Sequence, residues 1–417
     1  MAEEMMRPMD WVEDLLAWKR PDEPSSNLPL SNYKKDKLAE NEREILVCHD
    51  MQGGYLEQER DAGYLVPVDS NPYVFLNWWS IDIFCYFSHH FLTIPPSGYV
   101  NTAHKHGCLV MGTLITEWKP GAEKCDKMFE SEEIMEQVVY KMVDIAEYYR
   151  FDGWLINIEN PIKQHHLPTL CNFLQLLTAT MRSRLGTSRV IWYDSVIETG
   201  QLIWQNELNF LNQSFYKCCD GIYLNYNWTD EMLLNSADFG LLNRIYVGID
   251  VFGRGCIGGW DCHKPFSRSS LLKMSLALFA PGWVTEKFPQ KNPIEINLKF
   301  WRKLHSFTVT RPIGQWFRLN DVSLQPHYEG NGFQPLPSGG LLISQEGTHR
   351  IFRCDLEETS LTVEFTSSAP VTLHLNDTDI PLTKNGNNYT GRARLALKCV
   401  TVTTSQNDTV IGNVHVY

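Results

Sequence analysis

An amide and a carboxylic acid lie two residues apart in the segment FDGWLINIEN, at positions 151–160. Successive side chains of a β-strand point to opposite faces, so Trp154, Ile156 and Ile158 share one face while Asn157 and Glu159 share the other. A carboxyl at the end of a strand can donate a proton and later accept one. The simpler alternative is that Glu159 caps a loop or pairs with a cation. The spacing therefore predicts a candidate acid/base site beside an amide.

The amide restricts the chemistry that this site can perform. An ordinary retaining glycosidase uses two carboxyl groups about 5 Å apart, one as acid and one as nucleophile. Asn157 cannot be that nucleophile. It suits substrate assistance instead, in which the acetamido oxygen of an N-acetylglucosamine attacks its own anomeric carbon and gives an oxazoline. In this hypothesis Asn157 orients the acetamido group, and Glu159 protonates the leaving oxygen and later deprotonates water.

Eight short apolar runs, separated by longer stretches that can hold helices, would position these residues. Alternation of this kind is typical of a parallel α/β fold, and eight strands favour a closed (β/α)8 TIM barrel. The runs are EILVCHD (44–50), IDIFCYF (81–87), CLVMGTLITEW (108–118), GWLINIE (153–159), RVIWYDSV (189–196), GIYLNYNW (221–228), RIYVGIDVF (244–252) and LALFAPGWVTE (276–286). One crossover, SEEIMEQVVYKMVDIAEYYR (131–150), has apolar residues at helical spacing and predicts a barrel helix.

Polar and aromatic side chains recur at the C-terminal ends of these predicted strands, where active sites of this fold lie. Carboxylates and amides can bind sugar hydroxyls, and flat aromatic rings can stack on sugar faces. The predicted substrate-binding residues at strand ends are His49, Asp50, Glu117, Trp118, Asn225, Trp228, Asp250, Phe252 and Trp283, with Tyr193, Asp194 and Glu286 in equivalent positions. Packing explains each of them equally well when it is taken singly, so the prediction depends on their common position.

The chain divides into three predicted regions: an N-terminal extension (1–43), the catalytic barrel (44–312) and a small β-sandwich domain (320–417). Strict alternation of apolar residues supports the last of these, since half-buried antiparallel strands have this period. The alternating positions are Leu361, Val363 and Phe365, then Val371, Leu373 and Leu375. The segment RPIGQWFRLNDVSLQPHYEGNGFQPLPSGG is the expected junction.

Composition limits which partners and which cellular compartment are expected for this chain. The formal net charge of −12, without a basic run, disfavours nucleic-acid binding. No secretory signal and no apolar segment of membrane-spanning length is visible, so no membrane partner is expected. The 11 cysteines are odd in number and irregularly spread, which indicates reduced thiols and predicts a cytoplasmic (cytosolic) protein.

Metal, cofactor and serine-hydrolase chemistry find little support. His104 and His106 form an HxH, and Cys256, Cys262 and His263 lie close in sequence, but neither set has the spacing of a dedicated metal site. No GxSxG elbow follows a predicted strand. We therefore expect no metal and no cofactor.

The sequence resembles glycoside hydrolase family 85. The blocks that carry the resemblance occur in order over residues 45–290: LVCHDMQGGYLEQ, YFSHHFLTIPPSGYVNTAHKHG, MGTLITEW, FDGWLINIEN, VIWYDSVIETGQLIWQNELN and YVGIDVFGRG. The resemblance implies an endo-β-N-acetylglucosaminidase that cleaves between the two N-acetylglucosamines of the N-glycan chitobiose core, with retention through an oxazoline. N-glycans on glycoproteins, glycopeptides or free oligosaccharides are the implied partners.

The resemblance also implies roles for individual residues. Glu159 matches the acid/base and Asn157 the residue that orients the acetamido group. Tyr193 matches a tyrosine that helps bind the same group, and Trp204, Trp228 and Phe252 match aromatic positions near the glycan cleft. Members of the family commonly carry more than one β-rich domain after the barrel, whereas this chain has room for one. Two alternatives remain: a catalytically silent N-glycan-binding protein and a chitinase-like hydrolase.

Overall fold

The computed structural model describes most of the chain. The described residues are 6–25, 27–30, 43–56, 75, 77–105, 107–289, 293–305, 314–315, 333–335, 341–353, 358–397 and 399–416. The predicted end of the barrel at 312, the predicted start of the β-sandwich at 320 and most of the predicted junction segment lie outside these residues.

Eight parallel strands of the described chain close into a barrel. They are β1 (Ile45–His49), β2 (Ile83–Tyr86), β4 (Leu109–Glu117), β5 (Gly153–Glu159), β6 (Arg189–Tyr193), β7 (Gly221–Leu224), β8 (Ile245–Asp250) and β9 (Ser275–Phe279). The ring runs β1-β9-β8-β7-β6-β5-β4-β2, and β2 pairs with β1 to close it. A two-residue strand, β3 (Leu92–Thr93), adds to β4 in antiparallel sense. The (β/α)8 prediction is confirmed.

Helices follow most of the barrel strands, as the crossover of a parallel sheet requires. They are α1 (Val12–Ala17), α2 (Ser97–Lys105), α3 (Trp118–Met128), α4 (Glu132–Tyr149), α5 (Leu167–Leu185), α6 (Gln213–Cys218), α7 (Asp230–Ser236), α8 (His263–Leu271), α9 (Trp283–Lys287) and α10 (Pro293–His305). Helix α4 is the predicted crossover. Its N-cap Ser131 accepts a hydrogen bond from the Ile134 N–H, and it ends at Arg150 in the left-handed region at φ 57°.

Strand β5 separates two layers of the hydrophobic core. Trp154, Ile156 and Ile158 belong to the cluster between the barrel and its helices. Leu155 belongs to the cluster that fills the barrel lumen. Because alternate residues share a face, Asn157 and Glu159 follow Leu155 on the lumen side.

The last predicted strand is too long. Strand β9 ends at Phe279, Ala280 adopts φ 55°, and the chain then enters helix α9. The apolar run 276–286 thus covers a strand and a helix, since periodicity alone does not separate the two in a short run. Trp283 and Glu286 accordingly lie on a helix after the strand, which corrects their predicted place at its end.

Two antiparallel sheets form the C-terminal region. One has the order β11 (Phe333–Pro335), β12 (Leu341–Ile343), β20 (Thr409–Val416), β14 (Glu358–Ser367), β18 (Asn388–Ala396), β17 (Leu382–Asn385), with β10 (Gly314–Gln315) also pairing with β20. The other has the order β13 (Gly347–Arg353), β19 (Cys399–Thr404), β15 (Val371–Leu375), β16 (Thr378–Ile380). Leu361, Val363 and Phe365 from one sheet and Leu373 and Leu375 from the other belong to one buried cluster, as the alternation predicts.

The described part of the N-terminal extension packs on the barrel. Met9 forms an antiparallel bridge with Leu92, and Val12 and Leu15 of α1 are buried in the core cluster. None of the described helices combines the length and the apolar character needed to cross a membrane.

Candidate active site

Glu159 ends strand β5 at the mouth of the barrel, and two hydrogen-bond donors face its carboxyl group. The Asn157 Nδ2 donates to Oε2 at 3.2 Å, and the Trp204 indole Nε1 donates to Oε1 at 3.3 Å. Burial raises the pKa of Glu159, while the hydrogen bond from Asn157 opposes this rise and the charge of Glu117 adds to it. A carboxyl with a raised pKa and a half-buried position is suited to proton donation near neutral pH.

A second carboxyl lies beside Glu159 because the two strands run in register. Glu117 ends β4 and is the direct partner of Glu159 in the parallel ladder. Register partners in a sheet present their side chains on the same face. Trp118, the next residue, begins α3 with its side chain 70% exposed, so it lies at the surface beside the mouth.

His89 is a residue of this site that sequence reasoning missed. Its Nδ1 lies 3.3 Å from Oε2 of Glu117, and the electrostatic influence of Glu117, Asp50 and Glu159 all reaches its ring. The hydrogen bond with Glu117 raises the pKa of His89, although partial burial opposes the rise. The expectation that functional residues lie at the C-terminal ends of strands could have identified it, since His89 follows the end of β2 by three residues.

A chain of hydrogen bonds holds the loop that carries Trp204. The Tyr193 hydroxyl donates to Oδ1 of Asn225 at 2.9 Å, and Nδ2 of Asn225 donates to Oδ1 of Asn206 at 2.9 Å. The backbone N–H of Asn206 in turn donates to the Asp194 carboxylate at 2.6 Å. Tyr193 and Asn225 therefore lie where predicted, and both are linked to the loop that places the indole against Glu159.

Asp194 is buried, with 1% exposure, beneath this loop. It also accepts hydrogen bonds from the Gln205 N–H at 3.2 Å and from Nδ2 of Asn212 at 3.0 Å. Burial raises the pKa of Asp194 to about 6 against the opposing effect of these donors. Its position indicates that Asp194 holds the loop from below and does not contact a substrate.

Asp50 and Glu286 form a further acidic pair on the β1 side of the mouth. Burial raises the pKa of Asp50, and the charges of His89 and His49 oppose the rise. Burial raises the pKa of Glu286 as well, and the charge of Asp50 adds to it. Both carboxyls are half-buried, so they remain accessible to sugar hydroxyls.

Aromatic rings line the β8–β9 side of the mouth. The rings of Phe252 and Trp283 lie 4.7 Å apart, and Arg254 lies 4.7 Å above the Phe252 ring. Asp250 is 3% exposed and accepts a hydrogen bond from Nε of Arg254 at 2.9 Å. Asp250 thus holds Arg254 over Phe252 from a buried position at the end of β8, whereas the sequence predicted Asp250 itself as a substrate-binding residue.

Two predicted substrate contacts are wrong because their side chains are buried. Trp228 is 1% exposed, and its indole Nε1 donates to the carbonyl of Gly248 at 2.8 Å inside the fold. His49 is fully buried and packs on Tyr99, whose hydroxyl lies 3.2 Å from Nε2 of His49. Both residues lie near strand ends, but their rings point into the core.

His104, the described histidine of the HxH pair, has other partners than a metal ion. His104 lies between the Leu28 carbonyl, 2.6 Å from Nδ1, and Asp152, 2.7 Å from Nε2. Over the part of the chain that the structure describes, no group of three or more His, Cys, Asp or Glu residues is arranged to hold a metal ion.

The chain is similar to known proteins both in sequence and in fold. The model of glycosyl hydrolase family 85 matches residues 55–327. The chain is 41% identical over 309 residues to the cytosolic endo-β-N-acetylglucosaminidase of Homo sapiens, an alignment that covers 72% of this chain and 41% of the human protein. It is 38% identical over 351 residues to the protein of the same name from Gallus gallus, covering 76% of this chain and 48% of the other. The chain thus spans less than half the length of these two curated relatives.

A solved structure supports the fold. The glycoside hydrolase domain of Endo-D from Streptococcus pneumoniae R6 matches with a TM-score of 0.58 at 15% sequence identity. The match covers 99% of this chain and 82% of that chain.

Proposed function

Because this chain belongs to glycoside hydrolase family 85, we propose that it is an endo-β-N-acetylglucosaminidase that hydrolyses the β-1,4 bond between the two N-acetylglucosamines of the N-glycan chitobiose core. The observation that carries the proposal is the contact between Asn157 and Glu159, an amide 3.2 Å from a carboxyl whose pKa is raised. The substrates are N-glycans on glycoproteins or glycopeptides, or free oligosaccharides with the same core.

In the first step, Glu159 donates its proton to the oxygen that links the two sugars. The bond from that oxygen to the anomeric carbon breaks while the acetamido oxygen of the same sugar bonds to the anomeric carbon, which gives a protonated oxazoline (an oxazolinium ion) that keeps the amide proton on nitrogen. Asn157 orients the acetamido group and stabilises the positive charge that the group gains. Tyr193, whose hydroxyl now bonds to Asn225, helps bind the same group.

In the second step, the ionised Glu159 takes a proton from a water molecule. The water oxygen bonds to the anomeric carbon while the bond from the acetamido oxygen to that carbon breaks, so the protonated oxazoline opens and the neutral acetamido group is restored. Two displacements at one carbon retain its configuration. Asp50, Trp118, Phe252, Trp283 and the other accessible groups at the mouth bind the rest of the glycan.

A competing assignment arises from the second carboxyl at this site. Glu117 is the register partner of Glu159, and two neighbouring carboxyls could act as acid and nucleophile in an ordinary retaining enzyme. The amide beside Glu159 and the ion pair that ties Glu117 to His89 favour substrate assistance. Removal of the Glu117 carboxylate separates the two mechanisms, since only a nucleophile is indispensable at every pH.

Mass spectrometry of the products tests the proposed function. A defined N-glycosylated peptide is incubated with the wild type, with Glu159→Gln and with Glu147→Gln, a matched change on the outer face of α4. We expect a peptide that keeps one N-acetylglucosamine from the wild type and from Glu147→Gln only. Equal release by Glu159→Gln would remove the acid/base assignment. Glycan binding without cleavage by any variant would favour the silent glycan-binding alternative, and cleavage of chitin oligomers in preference would favour the chitinase-like one.

We also infer a cytosolic location, because the curated relatives carry that word in their names and the nine cysteines whose side chains the structure describes are free thiols. Microscopy of the tagged protein at native expression tests this inference. Accumulation inside the secretory pathway would contradict it.

A further inference from the structure

Four elements of the barrel mouth bring polar groups to Glu159. Asn157 comes from its own strand, Glu117 from the end of β4, Trp204 from the loop after β6, and His89 from the loop after β2. The side chains of Asn157 and Trp204 stay uncharged at all working pH values. Glu117 and His89 are the two titratable neighbours whose electrostatic influence on Glu159 is largest. Tyr193 lies within electrostatic reach as well, but burial raises its pKa well above the working range.

Glu117 and His89 act on Glu159 in opposite directions. A negative carboxylate beside Glu159 favours its protonated form, and a positive imidazole favours its ionised form. The two are also coupled to each other, since Nδ1 of His89 lies 3.3 Å from Oε2 of Glu117. When His89 is charged, it offsets the charge of Glu117; when His89 loses its proton, Glu117 acts on Glu159 without that offset.

Building on the proposed function, we propose that His89 and Glu117 form a positioning pair that sets the pH range in which Glu159 holds the proton it donates. The hydrogen bond with Glu117 raises the pKa of His89 above its ordinary value against the effect of partial burial. The offset disappears when the ring loses its proton as the solution becomes more alkaline. Glu159 then retains its proton to a higher pH than it would beside a permanently charged cation. Glu117 thus extends the alkaline side of the activity profile, charged His89 limits that extension, and neither residue contacts a reacting atom.

Exposure limits the size of the effect. The His89 side chain is 57% exposed and that of Glu117 is 26% exposed, so water and salt screen their charges. We therefore expect each charge to move the pH dependence by roughly half a unit to one unit, which is the scale for charges several ångströms apart near a protein surface. The shifts must shrink as the salt concentration rises.

The test is the pH dependence of kcat/KM on a glycopeptide, since its alkaline limb reports the acid of the free enzyme. In Glu117→Gln we expect the alkaline limb at lower pH than in the wild type, and in His89→Gln at higher pH. Glu117→Asp keeps the charge and should keep the limb close to that of the wild type. The matched control is His90→Gln: His90 is the neighbouring histidine, pairs with Asp10 at 2.7 Å and should leave the limb in place.

Shifts of the same sign in Glu117→Gln and His89→Gln, or no shift in either, would overturn the proposal. A loss of activity in Glu117→Gln at every pH would overturn it in favour of Glu117 as nucleophile. A change in KM alone in His89→Gln would overturn it in favour of a direct glycan contact.

A readout that needs no turnover separates this proposal from the proposed function. The imidazole proton signals of His89, followed by NMR through a pH titration, give the pKa of that ring in the wild type and in Glu117→Gln. We expect the lower pKa in Glu117→Gln. An unchanged value would overturn the pairing, whereas a lowered value in a protein that cleaves no glycan would leave the pair intact and refute the enzymatic function.

Discussion

The two ends of the barrel use their carboxylates differently. At the N-terminal end, an aspartate just before a strand is joined by two hydrogen bonds to one residue near the start of a neighbouring strand. Its carboxylate accepts from that residue's N–H, and its own N–H donates to that residue's carbonyl. The pairs are Asp82 with Ile45, Asp152 with Val110, and Asp220 with Val190.

At the C-terminal end, burial raises the pKa values of several carboxyls. This holds for Asp50, Glu159 and Glu286. Carboxyls with raised pKa values in a cleft are candidates for proton transfer. The N-terminal end also carries the ion pair of Arg189 with Glu44, to which Tyr246 donates a hydrogen bond.

The comparison indicates that carboxylates at the N-terminal end of the barrel serve stability, whereas carboxyls at the C-terminal end are suited to chemistry. Hydrogen-bonded carboxylates at the N-terminal end tie neighbouring strands together, which contributes to the free energy of unfolding. The carboxyls with raised pKa values at the C-terminal end contribute less to the free energy of unfolding but can exchange protons and bind hydroxyls. Changes at the two ends should therefore have opposite profiles of activity and stability.

The largest effect is expected at Asn157. Asn157→Ala should lower kcat/KM roughly 100- to 1000-fold, because a group that stabilises developing charge is lost. Its thermal midpoint should stay within about 2 °C of the wild type, since such sites are not optimised for stability. Steady-state kinetics and calorimetry provide the two measurements. Asn157→Gln should hydrolyse poorly yet still accept a preformed oxazoline as donor, and normal hydrolysis by both variants would refute substrate assistance.

The opposite result, a loss of stability without a loss of activity, is expected at the N-terminal end of the barrel. Asp152→Ala removes the partner of His104 and of the Val110 N–H, both buried. The free energy of unfolding should fall by about 3 kcal/mol, as it does when one partner of a buried ion pair is removed, and the thermal midpoint should fall by roughly 6–12 °C. The kcat/KM of the folded protein, measured well below the midpoint, should be that of the wild type. A large loss of activity in fully folded protein would break the division between the two ends.

Asp194 should give an intermediate result, because it is a buried, hydrogen-bonded carboxyl at the C-terminal end of the barrel. Asp194→Asn disturbs the donors that hold the Trp204 loop and should lower kcat/KM about 10-fold, near 1.4 kcal/mol. It should also destabilise the fold by about 1 kcal/mol. Asp238→Asn, a change at an exposed aspartate, is the matched control for both assays. An effect on stability alone would show that the loop does not position the indole.

The smallest effect is a pH dependence of stability from His104. Burial by itself lowers the pKa of this imidazole, but the charge and hydrogen bond of Asp152 reverse the direction, so the pKa in the folded state is raised above the ordinary 6.5. The stabilisation is fully present below pH 6.5 and is lost as the pH rises through the higher folded-state pKa. The difference in thermal midpoint between the wild type and His104→Gln should therefore shrink as the pH rises above 6.5. A difference that stays constant, or grows, would contradict the raised pKa.

The sequence predicted the strand pattern and the central pair well, because both depend on local periodicity. Asn157 and Glu159 follow Leu155 on one face of β5, as alternation requires. The same rule failed for Trp228 and His49, whose rings turn into the core. Proximity to a strand end does not fix the direction of a side chain in the loop beyond it, and this direction depends on the packing around it.

His89 shows the opposite failure. It lies near a strand end and faces the site, yet nothing in its local sequence separates it from His90, which turns towards Asp10. Only the fold places one imidazole against Glu117 and sends the other to the N-terminal segment.

The sequence by itself determined the barrel, the β-rich C-terminal region and the shared face of Asn157 and Glu159. Each of these follows from the period of apolar residues, which repeats within a few positions of the chain. Only the tertiary structure decided that Glu117 stands in register with Glu159, that Trp204 donates to it and that His89 pairs with Glu117. These contacts join residues 28 to 45 positions apart, and their geometry is set by strand register and loop packing, which no local pattern encodes.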